Sequence, residues 1–235
     1  MNSGMQMPRR HPSDAMLLAY ASGSLGHAHR IVVATQALNC ATCRSAIHLA
    51  ERVGGLLLDD LASATLRSDA LKLCLAQLRT PEFFPDTSPS TRATTKKGLF
   101  QALQVGDVAL PETLQGLLPE NLRWLAPGIR HATLFQDDRG TLHLIRVRPN
   151  VALPAHMHCG LELTCVLKGS FHDGGGQYLE GDLCEIGDEA EEQGSSYEHQ
   201  VTADPSGDCV CIMAISGRMR FRSWVARLLK PLLPF

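Results

Sequence analysis

Aromatic residues make up only 5% of this 235-residue chain, and its formal net charge is only −2. No apolar run is long enough to cross a bilayer, and the N-terminus lacks the apolar core of a signal peptide. Residues 1–110 carry 11 basic and 8 acidic side chains and residues 111–235 carry 11 and 16. Neither part therefore has the basic excess of an electrostatic nucleic-acid binder. We expect a cytoplasmic protein without direct contact to nucleic acid or membrane.

The chain contains eight cysteines. In a cytoplasmic protein, cysteines are mostly free thiols or metal ligands, because the compartment keeps disulfides reduced. Cysteine and histidine clusters are therefore the first candidates for a functional site.

Residues 11–80 have the apolar spacing of short helices. Ser13 is a predicted N-cap and Gly23 a predicted helix stop. A third helix is expected over 43–54 and a fourth within 68–78. Such a small helical unit has a thin core of its own, so a partner or a bound metal is expected to stabilise it.

After about residue 108, short runs with strand-like alternation are separated by glycine-rich turns, which favours an antiparallel sandwich or barrel. A Pro-, Ser- and Thr-rich linker separates this part from the helices. We therefore predict an α+β chain with an N-terminal all-α domain and a C-terminal all-β domain. The predicted segments are a disordered N-terminus (1–10), a helical domain (11–80), a linker (81–107), a β domain (108–221) and a C-terminal tail (222–235).

The stretch "HMHCGLE" contains His156, His158 and Glu162. Residues two apart on a strand point the same way, so both imidazoles can face one cavity, and Glu162 follows at the same parity. His199, in "SYEHQV", is the natural fourth ligand from another strand. Three imidazoles and one carboxylate suit Zn, Fe, Mn or Ni. We predict a divalent metal site at these four residues.

This segment resembles the first motif of the cupins, His-x-His-(x)3-Glu-(x)6-Gly, which ends here at Gly169. His199 matches the histidine of the second cupin motif. That motif is otherwise degenerate, because Gly181 and Asp182 are present and the usual Pro-x-Gly is not. The resemblance implies a double-stranded β-helix, or jelly-roll barrel, that binds a metal.

A second cluster lies near the N-terminus, where Cys40 and Cys43 have Cys-x-x-Cys spacing and His11 lies upstream. Together with the Pro-rich linker, the cupin motif and the tail "ARLLKPLLPF", this cluster resembles the ChrR family of zinc-binding anti-sigma factors. In that family, the helical domain binds zinc and an ECF-type sigma factor. The metal-bound cupin domain is needed to respond to singlet oxygen and related oxidants. The resemblance implies a regulator of the same kind, with zinc at His11, Cys40 and Cys43.

The family pattern, His-(x)24-His-(x)3-Cys-(x)2-Cys, places a second histidine at position 36, and this chain has Gln36. A glutamine amide is a poor zinc ligand beside thiolates. Three interpretations stay open. Another residue, with His48 the nearest candidate, completes the site. Alternatively, three protein ligands bind zinc together with water, or the zinc is lost and helix packing alone holds the domain.

Cys209 and Cys211 alternate on a predicted strand, so both side chains face one side. One interpretation is an oxidation-sensitive pair beside the cupin metal. The other is a pair of small apolar core residues.

Two classes of function follow from these features. The leading hypothesis is an anti-sigma factor that inhibits an ECF-type sigma factor and releases it when the cupin domain senses an oxidant. A scaffold that has lost its N-terminal zinc and still binds sigma is a variant of it. The alternative is a metal-dependent cupin enzyme, a dioxygenase or isomerase, with a helical oligomerisation element.

Overall fold

The computed structural model describes residues 7–77, 111–187 and 198–221. The described helices are α1 (Asp14–Ala21), α2 (His27–Asn39), α3 (Ala41–Asp59), α4 (Ala70–Gln77) and α5 (Glu112–Leu117). The described strands are β1 (Arg123–Ala126), β2 (Ile129–Asp137), β3 (Gly140–Val147), β4 (His156–Cys159), β5 (Glu162–Lys168), β6 (Ser170–Asp173), β7 (Gly176–Leu179), β8 (Leu183–Ile186), β9 (Glu198–His199), β10 (Thr202–Ala203), β11 (Cys209–Ile215) and β12 (Arg218–Phe221). Helices followed by strands confirm the predicted α+β class.

The strands form three antiparallel sheets that together make the barrel. The largest has the order β1-β2-β3-β11-β5-β8, and the smaller sheets have the orders β10-β6-β7 and β12-β4-β9. The turn between β5 and β6 requires the motif glycine. Gly169 has φ +72°, and a Cβ atom there would lie 2.5 Å from the Asp208 carbonyl oxygen.

Helix α1 begins and ends as its sequence predicts. The Ser13 hydroxyl accepts a hydrogen bond from the Met16 N–H, so Ser13 is the N-cap. At the other end, Gly23 has φ +75°, and its N–H and that of Ser24 donate to the carbonyls of Tyr20 and Ala19. This pair of bonds is a Schellman C-cap, which favours glycine because of the positive φ.

The predicted end of the third helix is wrong. Helix α3 continues through Gly54 and Gly55 to Asp59. Each glycine costs about 1 kcal/mol in a helix interior relative to alanine, which is not enough to end a helix whose hydrogen-bond ladder continues. The extension carries leucines at three successive positions, 56–58, and all three are exposed.

The helical part has no separate core. Helix α2 lies between α1 and α3 on one side and the outer face of the large sheet on the other, where it contacts β3, β5 and β11. One cluster of buried side chains joins residues of α2, such as Ile31 and Val32, to residues of the sheet, such as Leu144 and Leu163. The sheet is therefore the partner that the thin helical domain was predicted to need. A second cluster fills the barrel interior.

The chain just before α1 fastens the helices to the barrel. The Asp182 carboxylate accepts hydrogen bonds from the backbone N–H groups of Arg9 and Arg10, at 2.6 and 3.0 Å, and is itself buried. The Arg10 guanidinium lies over the Tyr178 ring, 4.4 Å from its centroid. The predicted disordered N-terminus therefore extends too far, because these barrel contacts order residues 7–10.

Several predicted segments lie outside the described residues. These are residues 1–6, the whole of the linker (81–107) and the tail (222–235). The domain boundaries at 80 and 108 therefore stay predictions. Among the described helices, none combines the length and the apolar character that crossing a membrane would require.

Candidate metal sites

Three of the four predicted cupin ligands meet at one end of the barrel interior. Donor atoms of His156, Glu162 and His199 lie within 4.8 Å of one another, and all three residues are buried. Strand pairing creates the site, because His156 on β4 lies opposite His199 on β9. His158 lies on β4 as well, but its side chain is outside the described part of the structure. These donors fit a divalent cation.

The tautomers of the two histidines support this fit. His156 directs Nδ1 at the Pro154 carbonyl oxygen, 2.8 Å away, and a carbonyl can only accept. Nδ1 therefore carries the proton and Nε2 presents a lone pair. Nδ1 of His199 faces the Asp173 carboxylate at 3.6 Å, which favours the same tautomer. The two Nε2 atoms lie 3.1 Å apart, so two lone pairs converge where a cation would relieve their repulsion.

Neighbouring residues that no sequence motif indicated orient the ligands. The Thr164 hydroxyl donates to Oε1 of Glu162 at 2.9 Å. Burial raises the pKa of Asp173, but the nearby His199 imidazole and the hydrogen bond from the Gly175 N–H outweigh it and hold the pKa below its usual range. Asp173 is therefore an ionised acceptor for His199. Strand parity could have indicated Thr164, two residues after Glu162, but nothing local indicates Asp173.

A further buried histidine faces the barrel interior. His143 is fully buried on β3, and burial lowers its pKa to about 4, helped by the nearby His131 and opposed by the Glu162 carboxylate. The Thr133 hydroxyl lies 3.4 Å from its Nδ1. His143 is therefore neutral at pH 7.

This histidine makes the fold sensitive to acid. The unfolded chain binds a proton at His143 below about pH 6.5, and the folded protein does so only below about pH 4. The free energy of unfolding should therefore fall as pH drops through that window, by roughly 3 kcal/mol from this residue. Urea unfolding at pH 7 and pH 4.5 should show a smaller loss for His143→Gln than for wild type. The exposed His48→Gln is the matched control, and equal losses in wild type and His143→Gln would contradict the assignment.

The N-terminal cluster is also brought together. Nδ1 of His11 lies 3.5 Å from Sγ of Cys40 and 3.4 Å from Sγ of Cys43. Tetrahedral zinc with bonds of about 2.0 Å to nitrogen and 2.3 Å to sulfur separates such atoms by about 3.5 Å. Cys40 ends α2 and caps α3, and Cys43 lies in the first turn of α3. The break between the two helices therefore directs both thiols at His11, and the donors fit a zinc ion.

The Cys43 thiol holds its proton strongly without a metal. Burial raises the pKa of Cys43 to about 12, and the hydrogen bond with Cys40 adds to the shift. A metal must therefore displace protons to bind, and its affinity rises with pH.

The structure rules out the other histidines near this cluster as substitute ligands. His48 is exposed, and its Nδ1 lies 3.0 Å from the Glu51 carboxylate. His27 packs edge-on against Phe135, and Nε2 of His29 lies 3.2 Å from the Leu161 carbonyl oxygen. The hypothesis that His48 completes the zinc site is therefore wrong.

The other cysteine predictions have mixed outcomes. Cys209 and Cys211 do face one side, with their sulfurs 3.5 Å apart inside the barrel. Strand β11 pairs Cys211 with Val166 and Ile215 with Glu162, four residues apart on each strand, which is roughly 13 Å. The pair therefore does not lie beside the metal ligands. Cys74 is exposed on α4.

The fold and the two candidate metal sites together define the class of protein. The chain is a cupin with a buried imidazole–carboxylate site, fastened to a helical unit with a thiol–imidazole site. Residues 117–216 match the family described as the ChrR Cupin-like domain. The anti-sigma-E factor ChrR of Cereibacter sphaeroides is 34% identical over 225 residues, covering 95% of this chain and 97% of that protein.

The structure of Rhodobacter sphaeroides SigE in complex with the anti-sigma ChrR superposes with a TM-score of 0.68. That match has 31% identity and covers 89% of this chain and 100% of the solved one. The chain belongs to the ChrR family of anti-sigma factors. The predicted family and cupin fold are confirmed.

Proposed function

We propose that this protein is an anti-sigma factor that binds an ECF-type sigma factor through its helical unit. The observation that carries the proposal is the similarity, over almost the whole chain, to an anti-sigma factor crystallised with SigE. A second observation supports the proposal: one helix has an apolar surface that nothing in the described part of this chain covers.

That surface lies on the second half of α3. Leu49, Val53, Leu56 and Leu57 are spaced along one side of the helix and are 49–68% exposed. We call these four residues the exposed face of α3. The buried residues of this helix, Cys43 and Ile47, are confined to its first half. A contiguous apolar stripe of this kind is typical of a protein-binding surface. We therefore place the sigma factor on it.

We infer that the cupin metal site is the sensor, because one strand connects it to the helices. On β5, Glu162 points into the barrel among the metal ligands, while Leu163 points outward into the cluster shared with α2. A chemical change at the metal that moves β5 would therefore disturb the packing of α2. Oxidative stress, through singlet oxygen or a related oxidant, is the signal we propose.

We propose zinc at the N-terminal site and zinc or another divalent metal such as Fe, Mn or Ni in the cupin. His158 is proposed as the fourth cupin ligand. Cys209 and Cys211 are proposed as a redox pair, since their sulfurs are in contact. The protein is proposed to act in the cytoplasm, where a sigma factor meets RNA polymerase.

The enzyme alternative is not favoured. A cupin enzyme would leave the helical unit unexplained, whereas the anti-sigma relative matches both parts of the chain.

The test is binding of the full chain to an ECF-type sigma factor. The full chain is needed because α2 shares its core with the sheet. We expect a one-to-one complex in size-exclusion chromatography, loss of sigma-dependent transcription in vitro, and recovery of transcription when an oxidant is added. Absence of both complex and inhibition with the cognate sigma factor would refute the proposal.

A further inference from the structure

Gln36 occupies the position where the family pattern has a histidine, and it is fully buried. Its side chain reaches three groups at once. Nε2 lies 2.6 Å from the Arg10 carbonyl oxygen and 3.2 Å from the Gly181 carbonyl oxygen. Oε1 lies 3.9 Å from Sγ of Cys43.

These contacts fix the orientation of the amide. Both hydrogens of Nε2 are used by carbonyl oxygens, which can only accept. Turning the amide over would bring its oxygen against the same two carbonyls, so that orientation is excluded by repulsion. Oε1 therefore faces the Cys43 thiol.

The oxygen adds a fourth candidate donor to this cluster. Nδ1 of His11 lies within 3.5 Å of both sulfurs, and Oε1 of Gln36 lies 3.9 Å from one of them, Sγ of Cys43. A tetrahedral zinc ion separates a sulfur and an oxygen ligand by about 3.5 Å, slightly less than the 3.9 Å found here. A small side-chain rotation closes that difference.

We propose that Gln36 is the fourth ligand of the N-terminal metal, through its amide oxygen. The proposal rests on the N-terminal zinc site proposed above. An amide oxygen is a weaker zinc ligand than an imidazole, so the site is more easily emptied than one with the histidine.

The same amide joins the metal to the barrel. Gly181 lies in the turn before β8, and its carbonyl accepts from Nε2 of Gln36. A cation on Oε1 draws electrons from the amide and strengthens the hydrogen bonds that Nε2 donates. Metal binding and attachment of the helices to the barrel therefore reinforce each other.

The experiment uses cobalt bound to the full chain, because sulfur-to-cobalt absorption reports only a site with cysteine ligands. We expect Gln36→Leu to weaken cobalt and zinc binding at this site at least about tenfold and to change the cobalt d–d spectrum. Gln36→His should bind more tightly than wild type. Thr35→Val is the matched control, because Thr35 is equally buried on α2 and its hydroxyl donates to the Ile31 carbonyl rather than to the metal cluster.

A second measurement does not depend on a variant that folds. The side-chain amide resonances of Gln36 in wild type, assigned through their bonds to the backbone of the same residue, should shift strongly when zinc is added. Unchanged amide resonances would overturn the proposal. An unchanged metal affinity and cobalt spectrum in Gln36→Leu would also overturn it. The absence of a sulfur-to-cobalt band in wild type would overturn it as well, but that result would leave sigma binding by the full chain intact.

Discussion

Replacing Leu49 and Leu56 with glutamate should weaken binding of the sigma factor by at least about 100-fold. Both side chains are exposed, 62% and 68%, so neither substitution removes core packing. Glutamate is also a good helix former, so α3 should persist. In the complex, each leucine would be buried, and loss of a central anchor typically costs 2 kcal/mol or more, before the cost of burying a charge is counted. Calorimetric titration of the full chain with the sigma factor measures the effect.

The control for this variant is Trp124→Glu. Trp124 is a large exposed apolar side chain, 69% accessible, on β1 of the barrel. It tests whether any added surface charge weakens the complex. Unfolding by urea should give the same midpoint for both variants and wild type. If Leu49→Glu/Leu56→Glu binds like wild type, the exposed face of α3 is not the sigma-binding surface.

His199→Ala should empty the cupin site and leave the N-terminal site filled. The substitution removes one of the two Nε2 donors that converge at 3.1 Å and leaves Asp173 without its histidine. Losing a ligand should lower metal affinity by more than the 10- to 100-fold typical for groups that only orient ligands. We expect metal content to fall by one equivalent per chain. Sigma binding should be retained and oxidant-induced release lost.

The matched control is His172→Ala. His172 lies on β6, is about half exposed, and pairs with Asp204 outside the metal cluster. It removes an imidazole from the same barrel without removing a ligand. Metal content is measured by elemental analysis after dialysis against a weak chelator. Full cupin occupancy in His199→Ala would contradict the ligand assignment, and release by oxidants in an emptied variant would place the sensor elsewhere.

Local sequence determined the types of metal ligand and the order of helices and strands in this protein. The Cys-x-x-Cys spacing and the Ser13 cap each depend on a few neighbouring residues. Backbone geometry alone decides which of those side chains share a face. The ligand types and the order of helices and strands could therefore be predicted. The glycines at 54 and 55 misled the prediction of α3, because a modest propensity cost did not outweigh the continued helix.

Tertiary structure decided what lies far apart in the sequence. Asp173 meets His199, Asp182 holds the backbone before α1, and Cys211 lies about 13 Å along the sheet from the metal ligands. None of these positions follows from spacing, since each depends on strand order and register. Gln36 shows the difference most clearly. Its sequence position indicated only a missing histidine, whereas the Arg10 and Gly181 carbonyls, 26 and 145 residues away, fix where its oxygen points.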